Sequence, residues 1–242
     1  MAEDLFATAQ ALNAAVPDDL AERLGAARAA IPGRLVLTTG FGLEGQLLTH
    51  GIARAGLEIE LVTLDTGRLF PETYEVWAET ERRYDLLIRA VHPDAAALAR
   101  LTDRQGPMGF RASVAAREAC CGVRKVAPLA MALDGVAGWV TGLRRSQSAA
   151  RRATRFAEAD MERGLVKLAP LFDWTAEAVA SHIRSLDIPY NPLFDRGFVS
   201  IGCQPCTRPV RVGESERAGR WWWEEGAREC GLHLPPPYAP AA

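Results

Sequence analysis

Three features of this 242-residue chain predict an α/β fold, a mostly parallel sheet with helices on both faces. Short apolar runs of strand type alternate with segments of helical pattern. The first strand-to-helix junction is a glycine-rich loop of the kind that lies at the carboxyl ends of parallel strands. The hydrophobic share is 48% against 24% charged residues, and at this length one sizeable core buries about 70–75% of the unfolded surface.

The elements follow in order. Residues 1 to 31 read as Ala-rich helical material closed by Pro32-Gly33. Leu35-Val36-Leu37-Thr38 is the first strand, and Gln46 to Ala55 a helix. Ile59 to Leu64 is the second strand, and Pro71 to Tyr84 a helix with proline in its first turn. Leu86 to Val91 is the third strand. Gly138 to Thr141 and Val166 to Leu168 are weaker strand candidates. Thr175 to Leu186 is helical, with Asp173 or Thr175 as cap. Strand, helix, strand at this spacing requires crossover connections and hence parallel pairing. From Pro189 on the chain is rich in Pro, Gly and Arg and reads as a tail.

Ordinary Gly and Pro content excludes collagen-like and disordered classes, and no apolar run reaches the roughly 18 residues of a membrane span. The acidic start, Met1-Ala2-Glu3-Asp4, lacks a signal-peptide apolar block, so a cytoplasmic location is expected. A net charge of -2 argues against a nucleic-acid binder, yet residues 104 to 155 hold ten basic residues against two acidic ones. Such a segment suits an anionic ligand or forms a solvated face.

Thr38-Thr39-Gly40-Phe41-Gly42-Leu43-Glu44-Gly45 joins the first strand to a helix. Glycine lets backbone approach an oxyanion, and a helix N-terminus offers free N–H groups. Gly40, Gly42 and Gly45, with Asp65 after the second strand, also spell a dinucleotide fingerprint, so an NAD-dependent oxidoreductase is one reading. Asp65-Thr66-Gly67-Arg68 either binds a ribose or adenine edge or is simply a good turn.

Five cysteines, an odd number, point to metal or catalysis in a reducing compartment. Cys120-Cys121 are adjacent, and Cys203-Gln204-Pro205-Cys206 is a C-x-x-C. Neighbouring helical thiolates diverge by about 100°, which suits several iron corners better than one zinc ion. A redox C-x-x-C is weakened by Pro209, and inert buried thiols remain the bland reading. Cys230 is left over; neighbouring arginine would raise its thiolate fraction and favour a nucleophile, and the alternative is a surface cysteine without a role.

With these residues on the page, the chain resembles the assimilatory adenylyl-sulfate reductases, the iron–sulfur branch of the adenylyl-sulfate and phosphoadenylyl-sulfate reductase family. The resemblance rests on Leu64 to Arg68, Cys120-Cys121 with Arg124-Lys125, Thr141 to Arg145, Cys203 to Pro209, Gly219 to Glu225, and Glu229-Cys230-Gly231-Leu232-His233. It implies a Rossmann-like fold of the adenine-nucleotide alpha-hydrolase type. It implies one domain over 1–242, with a nucleotide-binding core at about 34–200 and a C-terminal segment at about 201–242 carrying cluster ligands and the catalytic cysteine.

The resemblance further implies reduction of adenylyl sulfate to sulfite and AMP with thioredoxin as donor, within sulfate assimilation and cysteine biosynthesis. Cys230 would be the catalytic nucleophile, passing through a thiosulfonate. Cys120, Cys121, Cys203 and Cys206 would ligate one 4Fe-4S cluster that organises the site. Arg124, Lys125, Arg152, Arg217 and Arg220 correspond to anion-binding positions and His233 to a substrate-contacting histidine. Thr39, Leu64, Asp65 and Gly142 correspond to positions holding the adenosine. The alternatives are the 3′-phosphorylated substrate, an NAD-dependent oxidoreductase with a structural zinc, and a non-enzymatic iron–sulfur sensor. Departures from the family pattern are Thr39-Gly40-Phe41 where serine is frequent, Ser146 where an acid is common, and Ala149-Ala150 for Pro-Gly. Of Trp221-Trp222-Trp223, which cannot share one helix face, one is expected in the core and another exposed. The sequence leaves homo-oligomer formation open.

Overall fold

The computed structural model describes residues 2–225 and 231–233. Two compact units emerge, one from Met1–Thr63, Pro71–Arg89 and Gly135–Arg196, the other from Leu64–Phe70, Ala90–Asp134 and Gly197–Ala242.

The strands are β1 (Leu35–Thr39), β2 (Glu60–Leu64), β3 (Arg89–Val91), β4 (Gly138–Val140), β5 (Ala157–Asp160) and β6 (Leu165–Leu168), ordered β3-β2-β1-β4-β6-β5 in one six-stranded sheet. β1 pairs in parallel with β2 and β4, β4 pairs in parallel with β6, and β5 pairs antiparallel to β6 at the edge. This is the mostly parallel α/β class expected. Leu35, Val36 and Leu37 are fully buried in succession, as a central parallel strand requires. Each such side chain contributes about 1.5–3 kcal/mol by leaving water.

In the first unit the helices are α1 (Ala2–Ala14), α2 (Leu20–Ala30), α3 (Leu43–Arg54), α4 (Pro71–Tyr84) and, later in the chain, Ala176–Ser185. The expected helical stretch 1 to 31 is two helices. Pro17 lies between them, and Asp19 caps the second through the Glu22 N–H at 3.0 Å. Thr175, not Asp173, caps Ala176–Ser185, accepting from the Ala178 N–H. α3 starts three residues before the expected Gln46, with Gly42 as its N-cap. The third strand is shorter than the apolar run Leu86 to Val91. Leu86 and Ile88 send their N–H groups to the Glu81 carbonyl and carboxylate, and only Arg89–Val91 enters the sheet.

The second unit holds α5 (Ala95–Gln105), α6 (Val114–Cys121) and α7 (Ala127–Ala132), so the helix at Ala176–Ser185 is α8. Ser113 caps α6 through the Ala116 N–H. A π turn over Gly122–Val126 joins α6 to α7, so Lys125 sits inside a continuous helix. Beyond Gly197 the chain forms a short 3-10 turn at Gln204–Cys206 and a bridge between Thr207 and Arg220.

Candidate functional site

The first unit contains the point where strand order reverses, between β1 and β4, which is where open α/β sheets bind ligands. Thr39 ends β1, is buried, and accepts the Phe41 N–H at 3.1 Å. Phe41 takes a left-handed φ of 58° and stacks on Trp77 of α4 with ring centroids 5.6 Å apart. Bulky residues rarely adopt that conformation, and here the aromatic stack secures it. Gly42 offers no side-chain cap, leaving the first-turn N–H groups of α3 facing the loop.

Gly142, after β4, lies against the same turn: a Cβ there would stand 2.8 Å from the Glu44 Cβ. The Glu44 carboxylate accepts from Arg144 Nε at 2.8 Å and Gln147 Nε2 at 3.1 Å, and Gln147 also donates to the Gly142 carbonyl. Ser146 accepts from Arg144 at 2.6 Å, a contact serine can make where an acid is common in the family. Arg151 donates to Gln147, and Arg152 follows it, exposed. The unit thus gathers Thr39 and Gly142 around one loop pair with Arg152 on the adjoining turn. Gly45, the third glycine of the fingerprint, sits 2.6 Å (as a built Cβ) from Thr39 Oγ1, so close helix–strand packing constrains it.

The second unit gathers the cysteines. Cys121, Cys203 and Cys206 are buried in one cluster with Phe110 and Trp221, and half-buried Cys120 packs against it. Helix α6 presents the vicinal pair at its end. The 203–206 turn is tied down by Cys206 N–H to the Cys203 carbonyl at 3.0 Å and by Gln204 N–H to the Arg68 carbonyl at 2.8 Å. Thr66 Oγ1 lies 3.3 Å from Cys203 Sγ. Among the described residues, no three His, Cys, Asp or Glu side chains converge closely enough to hold a single metal ion.

The cations expected at an anion site are at hand. Arg124 and Lys125, on the π turn, are both buried, and Arg124 donates to the Thr66 carbonyl. Arg220 is buried with its guanidinium 4.7 Å from the Trp221 ring centroid, and half-exposed Arg217 lies 6.0 Å from the same ring. Burial pushes the Cys206 thiol up to about 11 and raises Cys120 as well. Cys203 is buried too, yet Lys125, the Thr66 hydroxyl, Arg220 and Arg124 outweigh that and bring it below the ordinary thiol value.

Leu64 and Asp65 open this unit. Asp65 accepts the Gly67 N–H at 2.8 Å and lies 3.7 Å from His92, so its turn-forming role is realised. His233 is half-exposed, and Cys230 lies outside the described residues. Trp221 is the core member of the tryptophan triplet; Trp222 and Trp223 are partly exposed. Two residues that sequence reasoning did not single out matter here. Arg117 and Glu224, both buried, form an ion pair at 3.0 Å. The only signal for it was a charged residue closing an aromatic run.

The chain matches, over residues 34–209, the family described as phosphoadenosine phosphosulfate reductase domain. It is 54% identical over 218 residues to an adenosine 5'-phosphosulfate reductase of Rhizobium meliloti (strain 1021), covering 90% of this chain and 82% of the relative. It is 50% identical over 202 residues to the protein of that name from Allochromatium vinosum, covering 82% and 78%. Among solved structures, a phosphoadenylyl-sulfate reductase from Candida auris in a phosphate complex superposes with a TM-score of 0.72 at 27% identity, over 84% of this chain and 96% of that one. An FMN adenylyltransferase of Candida glabrata shares the fold alone, with a TM-score of 0.51 at 14% identity over 92% and 81%.

Proposed function

The chain belongs to the phosphoadenosine phosphosulfate reductase domain family, and from that premise we propose that it reduces adenylyl sulfate to sulfite and AMP. The observation that carries the proposal is the meeting, in one unit, of four cysteines with Arg124, Lys125 and Arg220. Curated relatives named for adenosine 5'-phosphosulfate favour that substrate over its 3′-phosphorylated form. The family match also replaces the NAD reading.

Cys230 attacks the sulfur of the sulfate group as a thiolate; the S–S bond forms, the bond from sulfur to the phosphate oxygen breaks, and AMP leaves. A thiolate of thioredoxin then attacks Cys230 Sγ, displacing sulfite, and its second thiol resolves the mixed disulfide. The two electrons come from the thioredoxin dithiol. Nucleophilic attack on an anionic sulfate needs its charge offset, the role of Arg124, Lys125, Arg217 and Arg220. Thr39, Leu64, Asp65 and Gly142 hold the adenosine, with Arg152 and His233 completing the substrate contacts.

A 4Fe-4S cluster fits Cys120, Cys121, Cys203 and Cys206. Besides four thiols, the region holds buried N–H donors without a partner among the described residues, Arg124 Nε, Arg220 Nε and Trp221 Nε1, suited to anionic sulfur acceptors. When bound, the cluster supplies a fixed local charge that organises these side chains. No helix among the described residues is long and apolar enough to cross a membrane, and we assign the reaction to the cytoplasm and to sulfate assimilation and cysteine biosynthesis.

Anaerobic purification with iron and acid-labile sulfide assay, followed by turnover of Cys230→Ser, tests the proposal. Sulfite production should vanish with iron and sulfide retained; an active Cys230→Ser overturns the mechanism, and zinc without sulfide overturns the cluster. Comparing kcat/KM for adenylyl sulfate and its 3′-phosphorylated form decides the substrate.

A further inference from the structure

Arg117 and Glu224 stand 107 residues apart in sequence and meet as a buried pair, Nε to Oε1 at 3.0 Å and Nη2 to Oε2 at 3.0 Å. Their side chains are 3% and 5% exposed. A buried ion pair returns little net stability compared with apolar packing, and its best-attested use is to fix one geometry.

The geometry it fixes is that of Trp221. That residue is buried and takes a left-handed φ of 43°, a conformation bulky side chains hold only where their surroundings impose it. The Glu224 N–H donates to the Trp221 carbonyl at 2.9 Å, so the residue whose carboxylate grips Arg117 closes, through its backbone, the turn Trp221 opens. The Arg117 guanidinium lies 4.8 Å from the Trp221 ring centroid and Arg220 4.7 Å from it. One indole therefore faces three cations: Arg117, tied to Glu224; Arg220, adjacent to the cysteines; and Arg217, more distant at 6.0 Å.

We propose that Arg117 and Glu224 are positioning residues for substrate binding: their ion pair holds Trp221 in its left-handed turn and so sets the Arg220 guanidinium where the sulfate group is received. The proposal rests on the reading of Arg220 as an anion-binding residue. It adds two residues to the binding machinery, both acting through Trp221.

A double-mutant cycle with steady-state kinetics on the iron-loaded full chain tests it, using Arg220→Ala, Glu224→Gln and the double variant. Arg220→Ala raises KM for adenylyl sulfate by about 10- to 100-fold, the range for losing charge-assisted hydrogen bonds. Glu224→Gln raises it by about 5- to 50-fold, with a smaller change in kcat, and the double variant matches Arg220→Ala within about twofold. Multiplying effects overturn the proposal, as does wild-type KM in Glu224→Gln beside an impaired Arg220→Ala. Loss of iron in Glu224→Gln that accounts for the lost turnover assigns the pair to cofactor retention and overturns it too. An unchanged KM in Arg220→Ala overturns the anion-binding reading itself, and the proposal with it. Should Glu224→Gln not accumulate as folded protein, Glu224→Asp, which keeps the charge at shorter reach, passes through the same cycle.

Discussion

The Thr66 hydroxyl lies 3.3 Å from the Cys203 sulfur, with both residues buried. Thr66 also accepts the Arg68 N–H at 3.2 Å, which leaves its proton for the sulfur. With Cys203 as a thiolate ligand, the hydroxyl is the donor. Thr66→Val keeps the shape and removes the donor, a loss of about 1.5–3 kcal/mol for a bond to a charged group. The expected outcome is faster loss of iron and sulfide in air, by roughly tenfold, with Thr66→Ser close to wild type. Equal loss rates in Thr66→Val and wild type would contradict the hydrogen bond's role.

Gly202 has no side chain because the Arg220 guanidinium fills the space its Cβ would take. Arg220 is buried and its backbone is tied at Arg217 by a 3.0 Å hydrogen bond, so it has little room to retreat. Gly202→Ala should therefore behave kinetically like loss of Arg220: a raised KM for adenylyl sulfate with the fold retained by circular dichroism. Wild-type KM in Gly202→Ala would show that Arg220 acts from another position.

The sequence shows the parallel core plainly, because β1, β2 and α4 carry their own signals: the apolar run Leu35-Val36-Leu37, the apolar-rich stretch Ile59 to Leu64, and a proline at the first helical turn. The strand at Ala157–Asp160 carries none. Ala, Glu and Asp are poor strand formers, and β5 exists because β6 offers antiparallel partners such as Leu168 for Ala157. The same limit applies to the site. Cysteine spacing brings together the thiols of the proposed cluster, whereas the contact between Arg117 and Glu224 is tertiary and leaves no local pattern. Even the basic excess of residues 104 to 155 is partly internal: Arg117 and Arg144 are buried and paired with Glu224 and Glu44.

Arg23 of α2 anchors the chain ahead of α8. It donates to the Pro17 and Pro170 carbonyls at 2.6 and 2.8 Å and makes a forked pair with Asp173 at 2.6 and 2.9 Å. Arg23→Ala leaves those acceptors unmet and should cost about 2–4 kcal/mol in urea denaturation. Burial raises the Asp173 carboxyl, but the Arg23 hydrogen bonds and charge outweigh it and hold it below the usual 3.8. A carboxyl depressed in the folded state stabilises above its unfolded value and loses that contribution as pH falls through the folded one. The stability gap between wild type and Asp173→Asn should thus be level from pH 7 to about 5 and shrink below about pH 4. A gap that widens with acid would be inconsistent with this pair.

Gly138 opens β4 and Gly142 follows its end, and alanine at the two positions should separate binding from stability. Thr141 is locked to the Leu168 carbonyl through its N–H at 2.8 Å and its hydroxyl at 2.9 Å. A methyl group on Gly142, 2.8 Å from the Glu44 Cβ, cannot be relieved by moving the strand. It must displace the loop beyond, or the first turn of α3, which is the pair of segments assigned to the adenosine. At Gly138 the added Cβ meets Leu35 Cγ at 3.0 Å and Ile31 Cδ1 at 3.3 Å, atoms of the core far from that loop. Overpacking of that kind costs about 1–3 kcal/mol. Gly142→Ala is expected to weaken AMP binding by about tenfold in calorimetry with a small drop in Tm. Gly138→Ala is expected to lower Tm and leave AMP affinity unchanged. Unaltered AMP binding in Gly142→Ala would detach the β4 loop from the nucleotide site.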